Sequence, residues 1–194
     1  MLRKKFNHIR IILASQSPRR KELLSSLDVD FEVVVKPVDE SVDVEISAHQ
    51  AAEHIALRKL EAFSLTAYAD ALIITSDTVV VDEQQRILGK PKDAQEAVQV
   101  LRDLSGQKHL VYTGVAIQYQ GQIRSFTCCT EVQFAKLIDE EIYYYVENYK
   151  PFDKAGSYGI QEWIGRIGVE SITGSFENVM GLPTQKLYQE LKAL

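Results

Sequence analysis

Apolar residues along this chain recur with two periods, and the switches between them mark its elements. The run Ile11-Ile12-Leu13-Ala14 reads as a buried strand that stops at Ser15. Leu23, Leu24 and Leu27 then form a stripe at helical spacing, so Pro18–Leu27 is expected to be a short amphipathic helix. Phe31–Val35 is a short apolar strand, broken by Pro37 and leading into the acidic segment Asp39-Glu40-Ser41-Val42-Asp43. A second helix starts near Ser47, with Ala48, Ala51, Ala52, Ile55, Ala62 and Phe63 marking its buried face. Ala71–Val81 is the most apolar strand, and Asp82–Arg86 turns from it into Ile87-Leu88. A third helix is bounded by Asp93 and Glu96, a capping-box-like pair, and by Gly106 just past its end, with Ala97, Val100, Leu101 and Leu104 inward. Leu110–Tyr119 and Ile123–Phe134 are two long strands joined as a hairpin through Gln120-Gly121-Gln122. A fourth helix covers Asp139–Asn148, with Ile142, Tyr145 and Val146 inward. The glycine-spaced stretch Lys154–Val169, a short strand Val169–Ile172, the loop Thr173–Gly181 and a last helix Pro183–Leu191 complete the chain. Hairpins combined with crossovers point to an α/β or α+β fold.

Three places break this pattern. Ser17 suits an N-cap and Pro18 the first helical position, which sets Arg19, Arg20 and Lys21 beside the free amides and positive dipole end of a helix. Cations there make sense if an anion, most simply a phosphate, is bound; a solvated basic turn is the plainer alternative. Lys59 falls on the core-facing stripe, four residues after Ile55 and four before Phe63. It needs either an anionic partner or a route by which its head reaches water. Ser76, Asp77 and Thr78 interrupt the Val/Ile run of the central strand. Carboxylates are almost never buried unpaired, so Asp77 requires a cation, a metal or hydrogen-bond donors nearby. Gly89-Lys90-Pro91 adds a lysine on a restricted backbone.

Composition narrows what those residues can do. At 194 residues the chain makes one domain over 1–194, or two lobes sharing a core around a central cleft. Its 45% hydrophobic and 25% charged content is that of a soluble globular protein. A net charge of −5 argues against general nucleic-acid binding, which depends on neutralising phosphates, so any anion site must be a local pocket. Cys128 and Cys129 are adjacent and point to opposite strand faces, which excludes a disulfide framework and fits a reducing cytoplasm. The basic stretch Met1–Arg10 precedes only a four-residue apolar run, too short for a signal-peptide core or a membrane span. His8, His49, His54 and His109 lack metal-site spacing. Neither the phosphate-binding G-x-x-x-x-G-K-[ST] loop nor the G-x-S-x-G nucleophile elbow occurs.

What remains is Arg19, Arg20, Lys59 and Lys90 set against Glu40 and Asp77. Cations hold a polyphosphate, while carboxylates recruit a divalent metal or orient water. Phosphoryl chemistry needs that combination, because positioning and charge neutralisation do most of its catalysis.

The string Leu13-Ala14-Ser15-Gln16-Ser17-Pro18-Arg19-Arg20, with Leu23-Leu24, resembles the opening signature of the Maf family of nucleoside triphosphate pyrophosphatases. Ser76-Asp77-Thr78-Val79-Val80, Gly89-Lys90-Pro91, Leu104-Ser105-Gly106 and Tyr112-Thr113-Gly114-Val115 continue it in order. Asp153-Lys154-Ala155-Gly156-Ser157-Tyr158-Gly159-Ile160-Gln161 and Val179-Met180-Gly181-Leu182-Pro183 follow. The Ser-Pro-Arg-Arg form and the Tyr-Gly-Ile-Gln segment are similar to the branch acting on dTTP and UTP. The resemblance implies an α/β fold, an elongated twisted mixed sheet flanked by helices and related to the inosine triphosphate pyrophosphatases. It also implies a homodimer and hydrolysis between the α- and β-phosphates, giving a monophosphate and pyrophosphate with Mg²⁺, Mn²⁺ or Co²⁺.

On the same resemblance Asp77 matches the general base, and Glu40, Lys59 and Lys90 match other residues of the pocket. On their chemistry Lys59 and Lys90 act with Asp77 in catalysis, and Glu40 or Asp77 holds a divalent metal with the substrate phosphates. Arg19, Thr78 and Gln161 match substrate-specificity positions, with Ser15, Ser17 and Arg20 also counted as substrate-binding. Gln161 offers a donor and an acceptor, which suits thymine or uracil. It is followed by Glu162-Trp163 where many members carry Gly, placing a charge and a large ring beside the base-reading position. The resulting expectation is a cytoplasmic hydrolase of acid anhydrides, house-cleaning non-standard nucleotides, with no nucleic-acid or membrane partner. Two alternatives stand: the same cleavage on a modified or purine nucleotide, or a non-catalytic nucleotide-binding regulator of division, septum formation or cell shape.

Overall fold

The computed structural model describes residues 1–41, 46–63 and 67–194, so Val42 and Asp43 of the acidic segment lie outside the described residues. In chain order the elements are α1 (Leu2–Lys5), β1 (Arg10–Leu13), α2 (Pro18–Ser25), β2 (Glu32–Val33), α3 (Ala48–Glu61), β3 (Ala71–Val81), β4 (Ile87–Leu88) and α4 (Ala94–Leu104). Then come β5 (Lys108–Tyr119), β6 (Gln122–Phe134), α5 (Asp139–Tyr149), a 3₁₀ turn (Ala155–Ser157), α6 (Trp163–Gly168), β7 (Val169–Thr173), α7 (Phe176–Met180) and α8 (Thr184–Ala193). The sheet runs in the order β2-β1-β3-β5-β6-β7, with β4 paired to β3. β1 pairs parallel with both β2 and β3, in the register Leu13 to Val33 and Ile12 to Ile73. β3–β4 and β6–β7 are antiparallel. The result is an α/β fold with a mixed sheet flanked by helices. Gln120 and Gly121, at φ 49° and 75°, form the two-residue turn whose twist suits the β5–β6 hairpin.

The chain divides into two compact units, Met1–Asp77 with Thr113–Cys128 and Gly181–Leu194, and Thr78–Tyr112 with Cys129–Met180. The core of the first unit gathers Ile12, Ala56, Leu60, Phe63, Ile73 and Ala116. Here α3 lies almost in contact with the β5 backbone: a Cβ on Gly114 would fall 2.2 Å from the Glu53 nitrogen. The core of the second unit is built on Leu101, Leu104, Phe134, Tyr145, Tyr158 and Ile164. Buried His109 joins it, with Nε2 2.7 Å from the Tyr158 hydroxyl. Among the described residues no helix is long and apolar enough to cross a membrane.

Several expectations need correction. The buried face of α3 is Ala51, Ala52, Ile55, Ala56 and Leu60; the helix ends at Glu61, so Ala62 and Phe63 belong to the chain beyond it. In α4 Val98 is buried as well as the expected Ala97, Leu101 and Leu104, and Val100 packs partly buried against the same core. Glu96 reaches back to the Lys92 amide rather than to that of its capping partner Asp93. The glycine-spaced stretch contains α6, because Gly165 permits a close approach: its Cβ would lie 1.9 Å from the Ile160 carbonyl oxygen. The loop Thr173–Gly181 contains α7, whose first turn is capped by Ser175 Oγ accepting from the Asn178 amide at 3.1 Å.

Candidate active site

The opening turn is held by its own serines. Ser15 Oγ accepts from the Ser17 amide at 3.2 Å, and Ser17 Oγ accepts from the Arg20 amide at 3.4 Å, which caps α2 with Pro18 in its first turn. Arg20 turns inward. Its Nε donates to the Gly181 carbonyl at 2.8 Å and one terminal nitrogen reaches Ser15 Oγ at 3.4 Å. Ser76 Oγ donates to the same carbonyl at 3.1 Å, so Gly181 O ties α2 and β3 together. Burial lowers the Arg20 pKa from its ordinary value, Asp77 and Glu40 oppose that shift, and Arg19 adds to it. Arginine nevertheless keeps its charge in proteins.

Lys59 has anionic partners. Its Nζ lies 2.6 Å from Asp77 Oδ1 and 2.8 Å from Glu40 Oε1. The Lys59 and Asp77 side chains are each 13% exposed and that of Glu40 is 44% exposed, so the pair is sheltered and its far end is open to water. The register behind this contact is visible in β3. Thr75 Oγ1 donates to the Ala56 carbonyl at 2.6 Å, locking α3 onto the strand. Asp77 is two residues further along the same strand face, and Lys59 is three residues further along the helix, nearly one turn. One anchor bond therefore sets the ion pair beside it.

Arg19, Arg20 and Lys59 thus stand with Glu40 and Asp77 in the first unit, three cations against two carboxylates in a chain of net charge −5. Ser15 and Ser17 belong to the same turn. Thr78, Lys90 and Gln161 are in the second unit: Thr78 is half-buried in β3, and Lys90 is exposed between β4 and α4. Gln161 lines a depression of about 290 Å³ with Ile160, Arg166, Val169, Ile172 and Phe176. Its Oε1 is buried with no hydrogen-bond partner among the described residues.

No group of three or more potential metal-ligating His, Cys, Asp or Glu side chains occurs among the described residues. Mg²⁺ needs no such cluster, because it commonly uses one or two carboxylates plus substrate phosphates. Glu40 and Asp77 are two carboxylates of the kind such a metal could use, and the Lys59 ammonium bridges both as a cation. Residues that sequence reasoning passed over also matter. The Gly181 carbonyl has no side-chain signature at all. Lys154, almost fully buried, pairs with Asp153 at 2.7 Å and Glu162 at 3.1 Å, and its burial leaves no trace in a glycine-rich stretch.

The family described as Maf-like protein matches residues 10–194. A dTTP/UTP pyrophosphatase of Bacteroides thetaiotaomicron is 51% identical over 185 residues, covering 95% of each chain. One of Parabacteroides distasonis is 53% identical over 184 residues, covering 94% of this chain and 95% of its own. In fold, the chain is similar to the Ham1 protein of Staphylococcus aureus, with a TM-score of 0.55 and 14% identity, covering 93% of this chain and 99% of that one. With the family match running through nearly all of its length, the chain belongs to the Maf family.

Proposed function

We propose that this protein hydrolyses dTTP and UTP to the nucleoside monophosphate and pyrophosphate. The relatives about 50% identical to it are named for that activity. The observation that carries the reading is the Lys59 ammonium shared by Asp77 and Glu40 beside the capped, arginine-bearing turn. Asp77 orients a water and takes its proton as the oxygen bonds to the α-phosphorus. The bond from that phosphorus to the oxygen bridging to the β-phosphate breaks, and pyrophosphate leaves with the electron pair. Lys59 and Arg19 offset negative charge developing on the phosphates. Arg20, committed to Gly181 and Ser15, keeps the turn in shape, while Ser15 and Ser17 fix its backbone by accepting from the Ser17 and Arg20 amides. Glu40 and Asp77 would hold a divalent cation, Mg²⁺, Mn²⁺ or Co²⁺, together with the substrate phosphates, and it would supply Lewis-acid polarisation there. In the second unit, the family resemblance assigns Lys90 to phosphate and Thr78 and Gln161 to base selection.

The test is a panel of ribo- and deoxyribonucleoside triphosphates with each of the three metals, measuring monophosphate, pyrophosphate and orthophosphate separately. Pyrophosphate with dTMP or UMP is the expected result. Orthophosphate as first product refutes the reading, and a panel in which purine nucleotides turn over faster moves the substrate class. We further propose a homodimer acting in the cytoplasm, which light scattering and fractionation test.

A further inference from the structure

We propose that Tyr145, Glu162 and Lys154 are positioning residues for Gln161 and so for base discrimination; this rests on the reading of Gln161 as a base-contacting residue. Gly159, Ile160, Gln161 and Glu162 form a tight turn, closed by the Glu162 amide donating to the Gly159 carbonyl at 2.9 Å. Gln161 occupies its third position. Both ends of the turn are then held by one phenol. Tyr145 Oη accepts from the Gly159 amide at 3.0 Å and donates to Glu162 Oε2. The other carboxylate oxygen of Glu162, Oε1, meets Lys154 Nζ at 3.1 Å. Tyr145 is fully buried in α5 and Lys154 is 7% exposed, so these partners are themselves fixed by packing. The Glu162 carboxylate folds back over Gly159, where a Cβ would fall 2.8 Å from its Cδ. From the other side α6 abuts the turn through Gly165 and the Ile160 carbonyl. Burial, with the bond to Glu162, raises the Tyr145 pKa, which keeps the hydroxyl a neutral donor.

The charge that follows Gln161 is therefore compensated within its own unit, and the carboxylate works as a clamp. A turn held at both ends fixes the backbone from which Gln161 extends; in this structure its side-chain amide nitrogen lies near Gly159, and its Oε1 is buried and unpartnered among the described residues. Turned out from that fixed backbone, the amide acceptor suits the N3–H of thymine or uracil and opposes the N3 lone pair of cytosine. A looser turn lets the amide adapt to either, so losing the clamp lowers discrimination before it lowers chemistry.

The experiment compares kcat and KM for dTTP and dCTP in the full-length protein and in the Tyr145→Phe, Glu162→Gln and Gln161→Ala variants, with thermal melts of each. Tyr145→Phe and Glu162→Gln are expected to cut the dTTP-to-dCTP ratio of kcat/KM by about tenfold, mostly through KM, since each loosens a charge-assisted contact. Neither adds to Gln161→Ala when combined with it. If Gln161→Ala leaves the ratio unchanged, the reading of Gln161 fails. If Gln161→Ala collapses the ratio while both clamp variants keep it, the positioning proposal fails alone. Should one clamp variant not fold, the other decides. Loss of folding in both overturns the proposal, because the network would then support the fold rather than Gln161.

Discussion

Gly114→Ala should damage stability and turnover together, through one displacement. The new Cβ would lie 2.2 Å from the Glu53 nitrogen, 2.3 Å from the Ala52 carbonyl carbon and 2.4 Å from the Glu53 Cα. All three are backbone atoms of α3, so no rotamer change relieves the overlap. Ordinary contact begins near 3.4 Å, so helix and strand must part by about 1.2 Å. Overpacking against a rigid element costs about 3 kcal/mol, the upper end of the usual range. For a chain of this size that lowers the melting temperature by roughly 6–12 °C. Lys59 rides on the same helix, and the 2.6 Å contact with Asp77 would open towards the limit of an ion pair. A misplacement near 1 Å can cost on the order of 10²-fold in rate. The assays are a thermal melt by circular dichroism and steady-state release of pyrophosphate from dTTP, the latter well below the variant's melting temperature. Gly89→Ala, whose Cβ would meet nothing within 4 Å, controls for loss of a glycine and should stay within about 0.5 kcal/mol. A Gly114→Ala protein melting within 2 °C of the unaltered chain and turning over within about twofold would falsify this coupling of helix position to catalysis.

Three more outcomes are expected. Asp77→Asn should abolish turnover while nucleotide affinity, followed by calorimetry, stays largely intact; full activity would end Asp77's role as base. Lys59→Met should lower kcat on the order of 10²-fold by removing the ammonium shared by Asp77 and Glu40, and an unchanged rate would leave Lys59 a structural pair only. His109 is held at a pKa of about 4 by burial, below its ordinary 6.5, so the unfolded chain takes up its proton first as pH falls. Its neutral form stabilises the fold fully above pH 6.5, and that stability drains away towards pH 4. Between pH 7 and 5 the loss is about 2 kcal/mol. Urea titrations should show a shallower pH dependence in His109→Phe, and parallel curves would refute the assignment.

How much of this was legible in the sequence depends on whether a residue's constraint is carried by its own neighbours along the chain. Ser17-Pro18 announced the start of α2, Gln120-Gly121 the hairpin, and the polar break at Asp77 a strand residue in need of a partner; each signal spans a few positions. Lys59 was legible as a problem but not as an answer. Its solution depends on the Thr75–Ala56 bond that sets the register of α3 on β3, a pairing across 19 residues. The glycines divide along the same line. Gly121 is required by a local φ of 75°, which a turn signature reports. Gly114 and Gly165 are required by what passes them, the α3 backbone in one case and the Ile160 carbonyl in the other. Their flanking residues look like ordinary strand and loop, and Gly165 even argued against the helix it makes possible. The clamp on Gln161 belongs with these. Glu162 read as an intruding charge because its partners, Tyr145 and Lys154, lie 17 and 8 residues away in an α-helix and a glycine-rich turn. Departures from a family's local pattern are therefore best judged after asking which distant residue meets them.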